Sequence, residues 1–95
     1  MHALDALGNQ TRREILLELR AAPLSVGELA ERFPVSRPAI SRHLRVLEQA
    51  GLVEARPTRP RGAYALRMQG FAPVRAYLDG FWDVALARLE ELADE

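Results

Sequence analysis

The sequence predicts a single, mainly α-helical domain with a small β-hairpin. Ninety-five residues, of which 48% are hydrophobic, supply enough apolar surface for one modest core but not for two. Apolar residues recur at helical spacing in most segments, and only two short segments in the second half of the chain alternate with a period of two. The chain contains no cysteine, so disulfides and thiolate metal sites do not contribute to the fold.

Two amphipathic helices are predicted in the first third of the chain. The segment from Thr11 to Ala22 ends before Pro23, and its helical stripe consists of Ile15, Leu16 and Leu19. The run Ser25-Val-Gly-Glu28 then has the pattern of a capping box, in which the serine hydroxyl accepts the third backbone N–H and the glutamate reaches back. A second helix is therefore predicted from about Val26 to Arg32.

A third helix is predicted from Arg37 to Ala50. Ser36 is its N-cap, Pro38 lies in the first turn, and Gly51 ends the helix as a left-handed residue. The buried stripe consists of Ile40, Leu44 and Leu47, while the opposite face consists of Pro38, Ser41, Arg42, Arg45 and Gln49. An ordinary solvated face mixes both signs of charge. This one is basic and nearly free of carboxylates, which indicates a surface for phosphates and base edges.

The two alternating segments predict a hairpin. They run from Leu52 to Arg56 and from Ala63 to Arg67, and their period-two apolar residues are Val53, Tyr64 and Leu66. The tip between them is stiffened by prolines, and it is flanked or occupied by Arg56, Arg59 and Arg61. These arginines favour contact with nucleic acid, although a charged tip can also serve to protect a small ribbon from edge pairing.

The last helix is predicted to begin around Phe71 and to form a dimer. Its apolar stripe is sustained to the end of the chain, and other apolar side chains widen it, including Tyr77, Trp82 and Leu86. A domain of 95 residues has little core left to cover so broad a face, so we expect it to pair with the same helix of a second copy. The predicted interface residues are Leu4, Leu7, Val74, Leu78, Phe81, Trp82, Ala85, Leu89 and Leu92.

The charge is polarised along the chain, although the net charge is zero. From Ser36 to Arg75 there are eight arginines and only two carboxylates, Glu48 and Glu54, whereas the segment from Ala76 onward is acidic. A basic middle is the distribution expected if that part of the chain meets phosphates and the acidic end does not.

Three stretches of the chain resemble the ArsR/SmtB winged-helix repressors. They are Leu7-Gly-Asn-Gln-Thr-Arg-Arg-Glu-Ile-Leu16, Leu24-Ser-Val-Gly-Glu-Leu-Ala-Glu-Arg32 and Val35 to Val53, the last containing Ser41-Arg-His-Leu44 and Ala50-Gly-Leu-Val53. Pro34 departs from this pattern, because the turn usually holds glycine there. The resemblance implies four helices, two strands and a fifth helix, assembled as a homodimer through the terminal helices.

The resemblance also assigns parts of the chain to roles. Residues 26–50 correspond to the helix-turn-helix, 52–67 to the wing, and 1–8 and 71–93 to dimerisation helices within one domain spanning 1–95. The helix from Arg37 to Ala50 corresponds to the helix that reads DNA, called the reading helix below. Two copies of it would enter successive major grooves of double-stranded DNA at an inverted repeat. The predicted DNA-binding residues are Ser36, Arg37, Pro38, Ser41, Arg42, Arg45, Arg56, Arg59 and Arg61.

Metal regulation, common in this family, is not expected here. The helix that carries Cys-x-Cys in arsenic and cadmium sensors reads Ser25-Val-Gly-Glu-Leu-Ala30, and no histidine follows His43, which is interpreted as a packing residue. The expected cofactor is none, and any small-molecule effector is unidentified. A cavity for an organic ligand near Tyr77, Phe81 and Trp82 and a winged helix used for protein–protein contacts are the alternatives. No catalytic constellation, apolar span or leader is recognised, so we expect a cytoplasmic regulator and not an enzyme.

Overall fold

The computed structural model describes residues 2–57 and 62–94. The helices in this part of the chain are α1 (Ala3–Ala6), α2 (Gln10–Leu19), α3 (Val26–Ala30), α4 (Arg37–Gln49) and α5 (Ala72–Ala93). The strands are β1 (Leu24–Ser25), β2 (Val53–Arg56) and β3 (Ala63–Leu66), and a 3-10 turn (Met68–Phe71) connects β3 to α5. The prediction of a mainly helical fold with a small antiparallel hairpin is confirmed.

The sheet has a third strand that the sequence did not predict. β1 pairs antiparallel with β3, with Leu24 opposite Tyr64 and Ser25 opposite Ala63, so the strand order is β1-β3-β2. Two residues are too few to show a period, which is why β1 gave no signal. The chain leaves α2 at Leu19, not Ala22 as predicted, because it must become extended before Pro23 to enter β1.

The other predicted boundaries differ by a few residues at most. α3 ends at Ala30, two residues before the predicted Arg32. α4 begins at Arg37 as predicted, and Ala50 is its C-cap. Residues 31–36 connect α3 to α4, and Pro34 lies within this connection, outside both helices.

The core lies where the helical stripes and the sheet meet. Its largest fully buried side chains come from α2, α3, α4 and the start of β2, and they are Ile15, Leu29, Ile40, Leu44, Leu47, Leu52 and Val53. Tyr64 and Leu66 pack against this core and remain half-buried. Ala63 and Ala65, on the other face of β3, are more deeply buried, because β3 is the central strand and its alanines are small.

Polar side chains fix the helix starts. The Ser25 hydroxyl accepts the Glu28 N–H at 3.1 Å and the Glu28 carboxylate accepts the Ser25 N–H at 3.0 Å, which confirms the capping box. These bonds lower the pKa of Glu28, the backbone bond from Ser25 having the larger effect. Ser36 accepts the Ala39 N–H at 3.3 Å, which confirms it as the N-cap of α4.

A close backbone contact joins the end of α4 to the 3-10 turn before α5. Gly51 has φ +80°, the left-handed conformation predicted for it. A Cβ built on Gly70 would overlap the Gly51 carbonyl oxygen, so this approach requires glycine at position 70. The Arg67 N–H donates to the Leu52 carbonyl at 2.9 Å, and the Gly70 N–H donates to the Arg67 carbonyl at 2.9 Å.

Gly70→Ala is expected to destabilise the domain by about 1–3 kcal/mol, because the added methyl group must push the backbone of Gly51 away. Urea unfolding followed by circular dichroism measures the change. Gly80→Ala is the matched control. Its Cβ would have no neighbour within 4 Å, so the gain in helix propensity should raise stability instead. Equal effects of the two substitutions would contradict the proposed role of the close contact.

Candidate DNA interface

The exposed face of α4 carries three arginines. Arg37, Arg42 and Arg45 are exposed, while the buried stripe on the other side of the helix is fully covered. Within residues 2–57 and 62–94, none of these three arginines takes part in an ion pair. Pro38 is exposed beside them and Ser41 is half-buried. Unpaired guanidinium groups on one side of a rigid helix can donate in pairs to phosphate oxygens or to the guanine edge.

Arg37 differs from the other two arginines because it lies over α3. A Cβ on Gly27 would be 3.1 Å from Nη2 of Arg37, so the guanidinium group passes closely over the first turn of α3. Gly27 therefore provides the room that this arginine occupies. Gly27 could not be recognised from the sequence, because a glycine in a short helix gives no signal of which side chain packs above it.

The wing is only partly described by the structure. Arg56 is exposed at the end of β2, and its Nη2 atom lies 3.7 Å from a carboxylate oxygen of Glu54. Arg59 and Arg61, two of the predicted DNA-binding residues, lie outside the described residues. β2 packs against α4, so Arg56 belongs to the same unit as the arginines of the reading helix.

Two other arginines have a structural role that the sequence analysis did not assign. Arg12 Nε donates to the Ala6 carbonyl at 2.7 Å, and Arg13 Nη1 donates to the Leu7 carbonyl at 2.7 Å. Both therefore satisfy carbonyl groups at the end of α1. A basic residue shortly after a helix terminus was the available signal.

His43 is half-buried on α4. Burial lowers the pKa of its imidazole, and the positive charges of Arg12 and Arg42 lower it further. In the part of the chain that the structure describes, no group of three or more histidine, aspartate or glutamate side chains could hold a metal ion.

The fold is expected to lose stability as the pH falls below about 6.5, the ordinary pKa of histidine. Because the pKa of His43 is lower in the folded protein, the unfolded chain binds the proton at a higher pH than the folded chain does. Protonation therefore stabilises the unfolded state relative to the folded state. The contribution is complete above pH 6.5 and is lost as the pH falls through the lowered pKa. His43→Gln should flatten the dependence of the unfolding free energy on pH below about pH 6.5, measured by urea denaturation. Parallel profiles for the two proteins would exclude His43 as the titrating group.

α5 carries a large apolar surface that its own domain does not cover. Val74 and Leu7 are half-buried against the core and Leu4 is half-buried, but every described residue from Arg75 to Asp94 is exposed. Phe81 is 61% exposed and Trp82 is 66% exposed. The rings of Tyr77 and Phe81 pack edge to face with centroids 5.1 Å apart. Of the predicted interface residues, only those nearest the core are therefore partly covered within one chain.

A short helix, a turn, a reading helix and a β-hairpin in this order define a winged helix-turn-helix DNA-binding protein. A sequence profile described as "bacterial regulatory protein, arsR family" matches residues 9–55. The HTH-type transcriptional regulator Rv2034 of Mycobacterium tuberculosis is 49% identical over 92 residues, which cover 97% of this chain and 86% of that protein. The chain belongs to the ArsR family and is a DNA-binding transcriptional regulator.

Two further relatives agree with this assignment. The transcriptional repressor SdpR of Bacillus subtilis is 42% identical over 52 residues, which cover 55% of this chain and 58% of that protein. A crystal structure described as a possible transcriptional regulator for arsenical resistance matches with a TM-score of 0.79 and 42% identity, covering 100% of this chain and 97% of that one. Among the described residues, no helix combines the length and the apolar character needed to cross a membrane.

Proposed function

We propose that this protein is a homodimeric repressor whose two α4 helices bind an inverted-repeat operator. The observation that carries the proposal is the exposed arginine face of α4, which makes no ion pair within residues 2–57 and 62–94. An arginine-rich helix face that makes no ion pair among the described residues is suited to a polyanion.

Three positions on α4 are the proposed base-reading residues, namely Ser41, Arg42 and Arg45. Arg37 is proposed to contact a phosphate group at the start of the helix, next to Ser36 and Pro38. The wing arginines Arg56, Arg59 and Arg61 are proposed to contact the DNA backbone or the minor groove. Residues 26–50 then form the helix-turn-helix and residues 52–67 form the wing.

The homodimer is proposed to form through residues 1–8 and 71–93. The exposed aromatic and aliphatic side chains of α5 support it, because a monomer rarely leaves so long an apolar face in water. Two-fold symmetry would place the two reading helices about one helical turn of DNA apart, so that the operator has the same symmetry as the protein.

Regulation by a metal ion is not part of the proposal, and neither is catalysis. The positions that would supply thiolates in the arsenic and cadmium sensors are Ser25-Val-Gly-Glu-Leu-Ala30. Operator affinity is expected to stay within a factor of ten on addition of zinc, cadmium or arsenite. A larger loss with any of the three would show that the protein is metal-regulated. The proposed site of action is the cytoplasm.

Selection of bound fragments from a random pool of duplex DNA tests the proposal. We expect an enriched inverted repeat, bound with an affinity that falls steeply as the salt concentration rises. Enrichment of sequences without a symmetric pattern would contradict the proposed binding of a homodimer to an inverted repeat. Failure to bind any duplex would favour a role in protein–protein contacts, in which the arginines meet an acidic partner.

A further inference from the structure

Arg37 lies at the border between the buried stripe and the outer face of α4. At 100° per residue it is about 20° from the buried Leu44 and about 40° from Ser41 around the helix. A side chain at such a border can turn toward the neighbouring helix or away from it. Since α3 packs against α4, the surface of α3 decides which direction is open to this arginine.

The first turn of α3 leaves room for the arginine at Gly27. A Cβ at this position would lie 3.1 Å from Nη2, 3.3 Å from Cζ and 3.6 Å from Nη1 of Arg37. Because Cζ is not the farthest of the three atoms, the Cβ would meet the face of the guanidinium group and not its edge. The face of this group therefore covers the place where any other residue would have its side chain.

The backbone gives no other reason for a glycine at position 27. Its φ is not in the left-handed region, in contrast to those of Gly51 and Gly62. Glycine inside a helix also costs helix propensity relative to alanine. What glycine provides here is the absence of a side chain beneath Arg37.

Contact through the face leaves the hydrogen-bond donors of Arg37 free. The N–H bonds of a guanidinium group lie in its plane, so the five donors remain directed outward. Among residues 2–57 and 62–94, Arg37 makes neither an ion pair nor a side-chain hydrogen bond. An ion pair would also fix the side chain, but it would occupy donors that a phosphate group needs.

The acidic residue next to Gly27 is bound elsewhere. The Glu28 carboxylate accepts the Ser25 N–H at 3.0 Å and so completes the capping box at the start of α3. Among the described residues this carboxylate makes no ion pair with Arg37. The capping box thereby keeps the acid of this turn from neutralising the arginine above it.

A side chain that is fixed in advance binds with a smaller loss of entropy. A mobile arginine loses rotamer freedom when it contacts a phosphate group, and this loss lowers the affinity. The proposed homodimer contains two copies of Arg37. We therefore expect its positioning to raise the affinity for DNA by about 10-fold.

We infer that Gly27 is a positioning residue for DNA binding, which lets Arg37 lie over the first turn of α3 with its donors free for a phosphate group. This inference rests on the proposed phosphate contact of Arg37. It adds a residue of α3 that acts through this arginine.

Substitution of Gly27 with and without Arg37 tests the inference. Gly27→Val places two methyl groups where the guanidinium group lies, so the affinity for labelled random-sequence duplex DNA should fall about 10-fold, measured by fluorescence anisotropy. Random-sequence DNA is sufficient because a phosphate contact does not depend on sequence. In the Arg37→Ala background, which is the matched control, the same substitution should change the affinity less than about 2-fold.

Gly27→Ala separates positioning from a general effect on the fold. The guanidinium group needs to move by only a few tenths of an ångström, so the loss of affinity should be smaller than with valine. The free energy of unfolding, measured with urea, should not fall, because alanine has the higher helix propensity. A loss of affinity without a loss of stability, seen only when Arg37 is present, supports the inference.

Three outcomes would contradict these expectations at different levels. Equal losses of affinity with and without Arg37, or no loss in either case, would overturn the positioning role of Gly27. If Arg37→Ala leaves the affinity and its salt dependence unchanged, the proposed phosphate contact is itself wrong. A natural chain that binds no duplex would overturn the proposed function. If Gly27→Val does not fold, the comparison with Gly27→Ala alone decides.

Discussion

Phe81→Glu is expected to convert the protein into a monomer and to weaken operator binding by at least about 100-fold. Phe81 is exposed on a single chain and lies near the middle of the apolar stripe of α5. In the proposed dimer the substitution would bury a carboxylate of each copy without a partner, which strongly disfavours association. Each reading helix would then bind DNA alone, without the gain that comes from linking two half-sites.

Ala87→Glu is the matched control for this substitution. It introduces the same charge on the same helix, but Ala87 is among the acidic residues of the opposite face. Light scattering and fluorescence anisotropy on a full operator and on a half-site measure the two effects. Ala87→Glu should remain dimeric and retain operator affinity. A dimeric Phe81→Glu variant would place the interface elsewhere on the molecule.

The Arg42→Ala/Arg45→Ala variant is expected to lose its preference for the operator over random DNA. A bidentate contact between an arginine and a base contributes about 1–3 kcal/mol of discrimination, and the dimer presents each of these residues twice. The four contacts together contribute at least about 4 kcal/mol, so the preference should fall by about 1,000-fold or more. Stability should not change, because neither side chain makes an ion pair or a side-chain hydrogen bond among the described residues.

The Arg59→Ala/Arg61→Ala variant removes the same charge from the wing and serves as the comparison. It should weaken binding to all sequences alike and reduce the slope of log affinity against log salt concentration by about one for each lost phosphate contact. Competition titrations at several salt concentrations measure both quantities. If the Arg42→Ala/Arg45→Ala variant also weakens all sequences alike, its arginines contact phosphates and do not read bases.

The extent of α4 could be predicted closely because its signals are local. Ser36 caps its beginning, Gly51 ends it, and the apolar stripe between them has an unbroken helical period. β1 could not be predicted, because it is a strand only through its pairing with β3, about 40 residues later in the chain. Propensity in two residues carries no information about such a distant partner.

The residues of the candidate site could be predicted from the sequence, whereas the side chains that pack around them could not. Which arginines lie on the outer face of α4 follows from the helical period. That Arg37 lies over Gly27 depends on side-chain packing between α4 and α3. Arg56 and Glu54, in contrast, are two residues apart on β2 and therefore lie on the same face of that strand. Arg12 and Arg13 look like surface charges in the sequence, yet they hold the end of α1.

The apolar residues of α5 were predicted to be an interface because they exceed what a small core can use. Within one chain the structure agrees only that the core does not use them.

The close contact between Gly51 and Gly70 joins the end of α4 to the 3-10 turn that precedes α5. No side chain separates the two backbones there, so we expect the end of the reading helix and the turn before the long helix to move together. In the proposed dimer, a rotation of α5 by about 10° would displace one end of this helix relative to the other, about 30 Å away, by about 5 Å. The angle at which the α5 helices cross would then set the distance between the two α4 helices. A change of that angle would lower the affinity for the operator without any rearrangement inside either domain.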